Sequence, residues 1–516
     1  MGNSVVRNLI GLLILIVLSF TIGIMAADSM KSAAVIIVAI VGLVGIVAMG
    51  KNVWMLLFLL IPFGEAFPLV QVKAYFFYVI PIFAYWCILA ILGRAHFTWR
   101  KLPGADFIFF LFLAYMATII YRFPALDQVT CGILGIKSTY YNLRYEYHLC
   151  VFVLIFYLAF SCIPFEKKHL FSVIKWGVII KLVLLFFAAC LGVDQNMAET
   201  KENLSNTLMH GSRLGMFSTF AINLFVFAYA SAPFQKLIQS PKAIAAILIS
   251  ICLILISGFR NRLGRLGLTL IGIAVIKREY LGFIVALCLG LFSLSLINSR
   301  DTLNQLPYTV QRVLGIIPWM DVNPSIRKDG ENSSDWRFVM WRWALDPRAG
   351  YIKNYVWGDG CLFNVAEYER NSRARRRKEI TVGTQEVAAS MRVWHGGFVA
   401  TLQELGIVGL GIVMIAHLYV LFTTIRIGSA LRKSPYLKYF LVYTYSFLQT
   451  YITYYILPAS TYSFLIDLAN FSYLKLFHWI AVEEGLIKPG RRGVKYTPLL
   501  IQEDNHPENK PMPVHS

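Results

Sequence analysis

His395 stands in "VWHGGFVATLQELGIVGLGIV", residues 393–413, just ahead of an apolar run that carries Glu404 inside it. A histidine can take up and release a proton near neutral pH, which suits a general base. A lone histidine at the start of a helix is more often a hydrogen-bonded structural residue, so it needs chemical company to be read as catalytic. Gly396 and Gly397 follow it and permit close approach of backbone or ligand. Glu404 would lie roughly 13 Å deeper and half a turn round if the segment were helical throughout. The two residues therefore form no dyad unless the helix breaks at the glycines. Glu404 is assigned to the helix interior, with Lys181 of "VIIKLVLLF" as a candidate partner.

The company is a set of arginines. Arg213 opens "RLGMFSTFAINLFVFAYA", Arg260, Arg262 and Arg265 crowd "LISGFRNRLGRLGLTL", and Arg337 lies in "SSDWRFVMWRWALDP". A guanidinium at a membrane edge is costly unless it meets an anion or lines a wet cavity, and its fork matches phosphate oxygens. For one arginine, snorkelling to lipid headgroups is the simpler reading. Several on one side, beside a large tryptophan-rich loop, favour an anionic ligand. Trp336, Trp341 and Trp394 are candidates to stack on sugar rings; anchoring an amphipathic helix at headgroup level explains tryptophans there equally well. The basic run 370–379, "RNSRARRRKE", reads as solvated or lying on anionic headgroups.

These residues need a scaffold, and composition names its class. The chain of 516 residues is 57% hydrophobic and 15% charged, outside the range of soluble domains. Apolar blocks of spanning length give an expectation of an all-α polytopic membrane protein with about 12–14 transmembrane helices. Expected spans fall near 8–26, 31–49, 53–70, 74–92, 106–121, 148–164, 170–192, 214–232, 243–258, 263–276, 280–297, 396–424, 439–457 and 461–480. Pro62 and Gly64 should break the third. Lys and Arg clusters such as Arg94, Arg100 and Lys101, or Arg432, Lys433 and Lys438, fall on one side when the spans are counted. That side is expected to be cytoplasmic, with both termini inside. The first segment also has signal-peptide character, through Arg7, an apolar run and "MAADS"; an uncleaved helix is the favoured reading.

The organisation expected is an N-terminal helical bundle over 1–297, a long extracytoplasmic loop with short helices over 298–395, C-terminal spans over 396–486, and a disordered cytoplasmic tail over 487–516. The loop holds Trp319, Trp336, Trp341, Trp343, Trp357 and Trp394 of the 11 tryptophans, too rich a content for filler. Within it "SSDWRFVMWRWALDP" reads as a short helix with a serine cap, Asp335 in its first turn and Pro347 past its end. The net charge of +20 partly reflects the inside bias, and no nucleic-acid-binding pattern accompanies it. Most cysteines sit in apolar spans; Cys131 and Cys361 fall in outer loops and could pair. No "HExxH", phosphate-binding loop or Cys/His ligand set is present, so no metal or cofactor is expected. "WGDG" at 357–360 lies in the loop, which argues against an intramembrane aspartyl protease.

The order of these motifs resembles the O-antigen ligase and O-antigen polymerase superfamily, bacterial membrane enzymes that handle undecaprenyl-diphosphate-linked glycans. The resemblance runs over roughly residues 200–415: the arginine-bearing "RLGMF…N", "SGFR", "DWRFVMWRWAL", "WGDG" and "HGGFVATLQELGIVGL". Ser257, Gly258, Phe259 and Arg260 stand where the family shows S-x-S-R, and His395, Glu404, Gly406 and Gly409 stand where it shows H-N-x-x-L followed by E-x-G-x-x-G. The chain departs at Gly396, where the family has asparagine, and in its extra Arg262 and Arg265.

The resemblance implies a membrane glycosyltransferase-like fold in the bacterial inner membrane. It also implies metal-independent transfer on the periplasmic face from an undecaprenyl-diphosphate-linked glycan. The acceptor is another glycan, lipid A core, or another lipid or protein, so ligase and polymerase both stay open. Read onto this chain, His395 is the base, Arg260 and Arg337 act in catalysis, and Arg213, Arg260, Arg265 and Arg337 hold the diphosphate; direct attack would invert the anomeric centre.

A transporter or flippase for an anionic or lipid-linked substrate is the rival. Lys181, Glu404 and Asp467 inside apolar spans support it. The weight of polar and aromatic residues on the outer side, and the lack of a visible inverted repeat, count against it.

Overall fold

The computed structural model describes residues 44–58, 75–123, 127–133, 136–142, 145–190, 215–361, 394, 396–457, 459 and 461–488. Helices dominate. In chain order they are α1 (Val44–Phe58), α2 (Tyr75–Ile91), α3 (Ala105–Arg122), α4 (Tyr145–Cys162), α5 (Lys167–Cys190), α6 (Gly215–Ala230), α7 (Pro241–Ile256), α8 (Arg260–Lys277) and α9 (Tyr280–Leu296). Next come α10 (Arg300–Gln305), α11 (Tyr308–Leu314), α12 (Pro324–Leu345), α13 (Gly397–Leu431), α14 (Leu437–Thr444), α15 (Phe447–Ile456), α16 (Thr461–Ala469) and α17 (Phe471–Glu483). The helical expectation holds, with one small addition. Between α3 and α4, β1 (Asp127–Ile133) and β2 (Ile136–Asn142) pair antiparallel, with Asp127 opposite Asn142 and Ile133 opposite Ile136.

Three helices, α3, α5 and α13, are long and apolar enough to cross a membrane, and shorter apolar helices accompany them. Their outer faces are oily: Phe107 on α3, Phe187 on α5, Leu281 on α9 and Phe422 on α13 are all more than half exposed, as a lipid-facing surface would be. The interior is aromatic. Trp54, Phe58, Phe156, Phe160, Phe165 and Tyr473 interlock through edge-to-face and tilted contacts, and Tyr443 stacks on Tyr473 at 4.6 Å.

Buried charge is paired at one end of the bundle. Lys475, fully buried, meets Asp106 at 2.7 Å beside the rings of Trp99 and Tyr157, whose N–H and O–H also donate to that carboxylate. Arg100 is buried too, donating to the Phe160 carbonyl with its guanidinium 3.8 Å from the Phe165 ring. One of the arginines counted toward the inside charge bias is thus a core residue.

Two expected spans are each built from two helices. Residues 439–457 divide into α14 and α15 at Tyr445–Ser446, where Leu448 N–H reaches back only to the Tyr445 carbonyl at 3.0 Å. Residues 461–480 divide into α16 and α17 at Asn470, whose N–H is shared between Ile466 and Asp467 carbonyls. Such tight three-residue turns interrupt the four-residue ladder without a proline to announce them.

The loop helix is longer than its sequence suggests. α12 starts at Pro324, not at the serines, because Asn323 caps it by accepting from Ser325 N–H at 3.0 Å with Pro324 in the first turn. Its end falls where expected, at Leu345 before Pro347.

Candidate functional site

The segment with the most chemistry in its sequence is held by a joint between α13 and residues 355–360. α13 is not continuous. Gly406 adopts φ 69° and ψ −175°, a conformation open to glycine and strained for other residues, and the helical ladder parts there. A break of this kind strands the carbonyls of Gln403 and Glu404 and the amides of Ile407 and Val408, which would otherwise bond each other four residues apart.

Residues 355–360 take up all four groups. Asp359 N–H donates to the Gln403 carbonyl at 2.6 Å and Gly360 N–H to the Glu404 carbonyl at 2.9 Å. In return Ile407 N–H donates to Tyr355 and Val408 N–H to Val356, at 2.8 and 3.3 Å. The freed Leu405 carbonyl accepts from the Tyr115 hydroxyl, which also reaches the Trp357 carbonyl at 3.2 Å. Arg122 donates to that same Trp357 carbonyl at 3.0 Å.

The loop is also held by its own side chains. Asp359 accepts from the amides of Lys353 and Asn354, both at 2.9 Å, while the Asn354 side chain accepts from Val356 and Trp357 amides. "WGDG" is therefore a main-chain connector, and its aspartate is spent on turn geometry.

Directly above this joint sit the residues flanking His395. His395 itself, like Arg213, lies outside the described residues. Its neighbour Trp394 is buried, donates its indole N–H to Gln403 Oε1 at 2.7 Å, and packs edge-on to Tyr351. The Trp394 carbonyl accepts from the Trp341 indole at 2.8 Å. On the other flank, a Cβ at Gly396 would sit 2.5 Å from the Trp341 ring nitrogen, and one at Gly397 would sit 2.1 Å from the Tyr454 carbonyl. The two glycines thus provide the close approach expected of them, to protein on both sides.

This packing corrects part of the stacking expectation. Trp394 presents no open face to a sugar, and Trp341 is committed to Trp394, Phe338 and Phe398. Trp336 packs against the same small core.

Arg337 precedes Trp341 by one helical turn on the same stripe of α12, roughly 6 Å along the axis. Its Nε is buried with no hydrogen-bond partner among the described residues, and burial lowers its pKa from the usual arginine value. Arg260 behaves differently. Its guanidinium donates to the main-chain carbonyls of Arg312 and Ile326, at 3.0 and 3.4 Å, fastening the start of α8 to α11 and α12. Ile326 lies roughly 22 Å along α12 from Trp341. Arg260 thus staples the start of α8 to the N-terminal part of the loop helix.

Arg262 and Arg265 turn into the bundle. Both are within electrostatic range of Tyr445, and Arg265 also of Asp467. Tyr445 in turn accepts from Asn223 of α6 at 3.4 Å. Arg265 Nε, Asn223 Oδ1 and Gln449 Oε1 are buried without hydrogen-bond partners among the described residues. The interrupted helices therefore line a polar interior facing α8.

Glu404 closes the end of this interior nearest the joint, accepting from both the amide (2.9 Å) and the hydroxyl of Thr461. Beside it the Thr401 hydroxyl bonds Tyr454 at 2.8 Å. Glu404 thus anchors the first turn of α16, while Lys181, the partner considered for it, lies over the Tyr443 ring at 5.6 Å. Cys361 is buried and the Cys131 side chain lies outside the described residues, so their expected pairing does too.

Sequence reading missed His417. It is buried in α13, bonded through Nδ1 to the Tyr455 hydroxyl at 3.0 Å and walled by Tyr454 and Phe464. An ionisable residue inside an apolar run was its available signal. Tyr115 gave no signal, since a hydroxyl that serves a distant carbonyl looks like any core tyrosine. No protein-family model matches the sequence, and no curated protein matches it either.

Proposed function

We propose that the chain is a multi-pass membrane glycosyltransferase of the O-antigen ligase or polysaccharide polymerase type. In this reading it transfers a glycan from an undecaprenyl-diphosphate carrier at the outer face of the bacterial inner membrane, with both termini in the cytoplasm. The observation that carries the reading is the adjacency of Arg337 to the His395 segment: a half-buried guanidinium, its Nε without a hydrogen-bond partner among the described residues, one turn from the tryptophan that grips the main chain beside a histidine. A cation for a leaving diphosphate and a base for an incoming hydroxyl are the two groups such a transfer needs.

The acceptor hydroxyl oxygen attacks the anomeric carbon as the bond from that carbon to the carrier phosphate breaks. The hydroxyl proton passes to His395, and the diphosphate leaves with its negative charge met by Arg337 and, from their sequence positions, Arg213 and Arg265. Attack and departure on opposite faces invert the anomeric centre. Arg260 contributes by holding α8 against the loop helix. The partners are the lipid-linked donor, the acceptor glycan, lipid A core, other lipid or protein, and the surrounding lipids; neither nucleic acid nor metal has a part.

The test is transfer of radiolabelled undecaprenyl-diphosphate oligosaccharide by purified protein, with His395→Ala and Arg337→Ala alongside. Longer lipid-linked products that vanish in both variants support a polymerase, and label on added lipid A core supports a ligase. Wild-type rates in both variants sink the reading. The interrupted helices around Arg265 and Asp467 are also what a transporter uses at its substrate site. Labelled lipid or solute crossing proteoliposome walls without transfer would favour that alternative.

A further inference from the structure

We propose that the joint at Gly406 is a switch: the 354–360 loop holds α13 broken while docked, and α13 closes into a continuous helix when the loop leaves. The reasoning rests on which groups are exchanged. Docking uses the carbonyls of Gln403 and Glu404 and the amides of Ile407 and Val408. These four are each other's partners in an uninterrupted α-helix, Ile407 with Gln403 and Val408 with Glu404.

Release of the loop therefore leaves none of these four groups without a partner. On the loop side, the carbonyls of Tyr355 and Val356 and the amides of Asp359 and Gly360 would pass to water, since Val356 and Trp357 are about half exposed. The four groups exchanged at the joint thus have partners in both states, a condition for two discrete arrangements instead of one arrangement and its damaged form; the Gly397–Leu457 and Thr461–Glu404 bonds must move with the rotating piece or be exchanged.

The two states differ in aim. Closing the ladder takes Gly406 from φ 69° and ψ −175° to helical values near −63° and −42°, rotating everything N-terminal to it about the rest of α13. That moving piece carries Trp394, Gly396, Thr401, Gln403 and Glu404. The docked state is favoured by groups with no counterpart in the closed helix: Tyr115 on the Leu405 carbonyl, and the Asp359 and Asn354 side chains that preform the loop. Tyr115, Asn354 and Asp359 are accordingly positioning residues. That the switch re-aims His395 during turnover rests on the function proposed above; the switch itself does not.

Amide hydrogen exchange in nanodiscs, resolved to single residues over 353–361 and 403–409 and run without substrate, tests it. Asp359→Ala loosens the loop, and Gly406→Ala forbids the broken conformation. In both, the Asp359-position and Gly360 amides should exchange about tenfold faster while Ile407 and Val408 keep their protection, having regained Gln403 and Glu404. If Gly406→Ala does not fold, Tyr115→Phe, which removes a partner of the broken form alone, takes its place. Ile407 and Val408 losing protection in step with the loop, or neither segment changing, would overturn the switch and leave a fixed brace. Since no transfer is measured, a failed activity assay does not bear on the outcome.

Discussion

Gly358 and Gly406 occupy each other's side-chain space: a Cβ built on either would stand 2.5 Å from the backbone nitrogen of the other. Both also hold positive φ, 77° and 69°. Two glycines almost fifty residues apart are thus required together, one by the 354–360 loop and one by α13.

Gly358→Ala should consequently prevent close docking, with backbone strain and a 2.5 Å clash against the Glu404 carbonyl. A destabilisation of about 1–3 kcal/mol is expected from the strained backbone alone, with larger losses if the loop cannot yield. Thermal unfolding in detergent measures it, and an unchanged melting temperature would contradict the joint.

Glu404→Ala strips Thr461 of an acceptor for its buried amide, at a cost of about 1–3 kcal/mol. Glu404→Gln keeps an acceptor oxygen and should lose less. Equal losses in the two would mean that the charge, and not the cap on α16, is what matters.

Arg265→Ala and Arg260→Ala should separate by readout. If Arg265 serves the leaving diphosphate, its loss lowers kcat by about 10²–10³ with the fold intact. Arg260→Ala removes a staple to Arg312 and Ile326 and should lower the melting temperature first. Both are read from one transfer assay and one melting curve.

Asp106→Asn leaves Lys475 buried with its counter-charge removed, which should destabilise by about 3–5 kcal/mol. Asp106→Leu combined with Lys475→Met should recover most of that loss. A double variant as unstable as the single would show that the ring contacts of Trp99 and Tyr157 need the charge.

Tyr436 links α13 to α14, and burial beside Glu484 pushes its pKa up from 10.0 to about 12. The folded state holds this proton where the unfolded chain has released it. The associated stability is full below pH 10 and is lost as pH rises toward 12. Tyr436→Phe should flatten that alkaline decline in a pH series of unfolding midpoints.

Apolar runs made most helices legible: the spans near 106–121, 214–232 and 280–297 match α3, α6 and α9 to within a few residues. The breaks were not legible. Tyr445–Ser446 and Asn470 interrupt helices through local turn geometry, which leaves the hydrophobic pattern untouched. At the site, Glu404 declared itself by being charged in an apolar run, and the glycines after His395 by their spacing. The partnership of "WGDG" with "ELG" was invisible because it runs through amides and carbonyls, which every sequence contains. The carbonyl contacts of Arg260 were hidden for a related reason: a guanidinium on main-chain carbonyls looks, in sequence, like one awaiting phosphate.

A joint made of peptide groups is nearly indifferent to side-chain identity outside its glycines. Tyr355, Val356 and Ile407 could each be replaced many times over in descent without altering a hydrogen bond. Distant relatives built on the same joint would then share little more than two glycines and the loop length between them. Kinship of that kind is better sought by superposing main chains than by aligning letters.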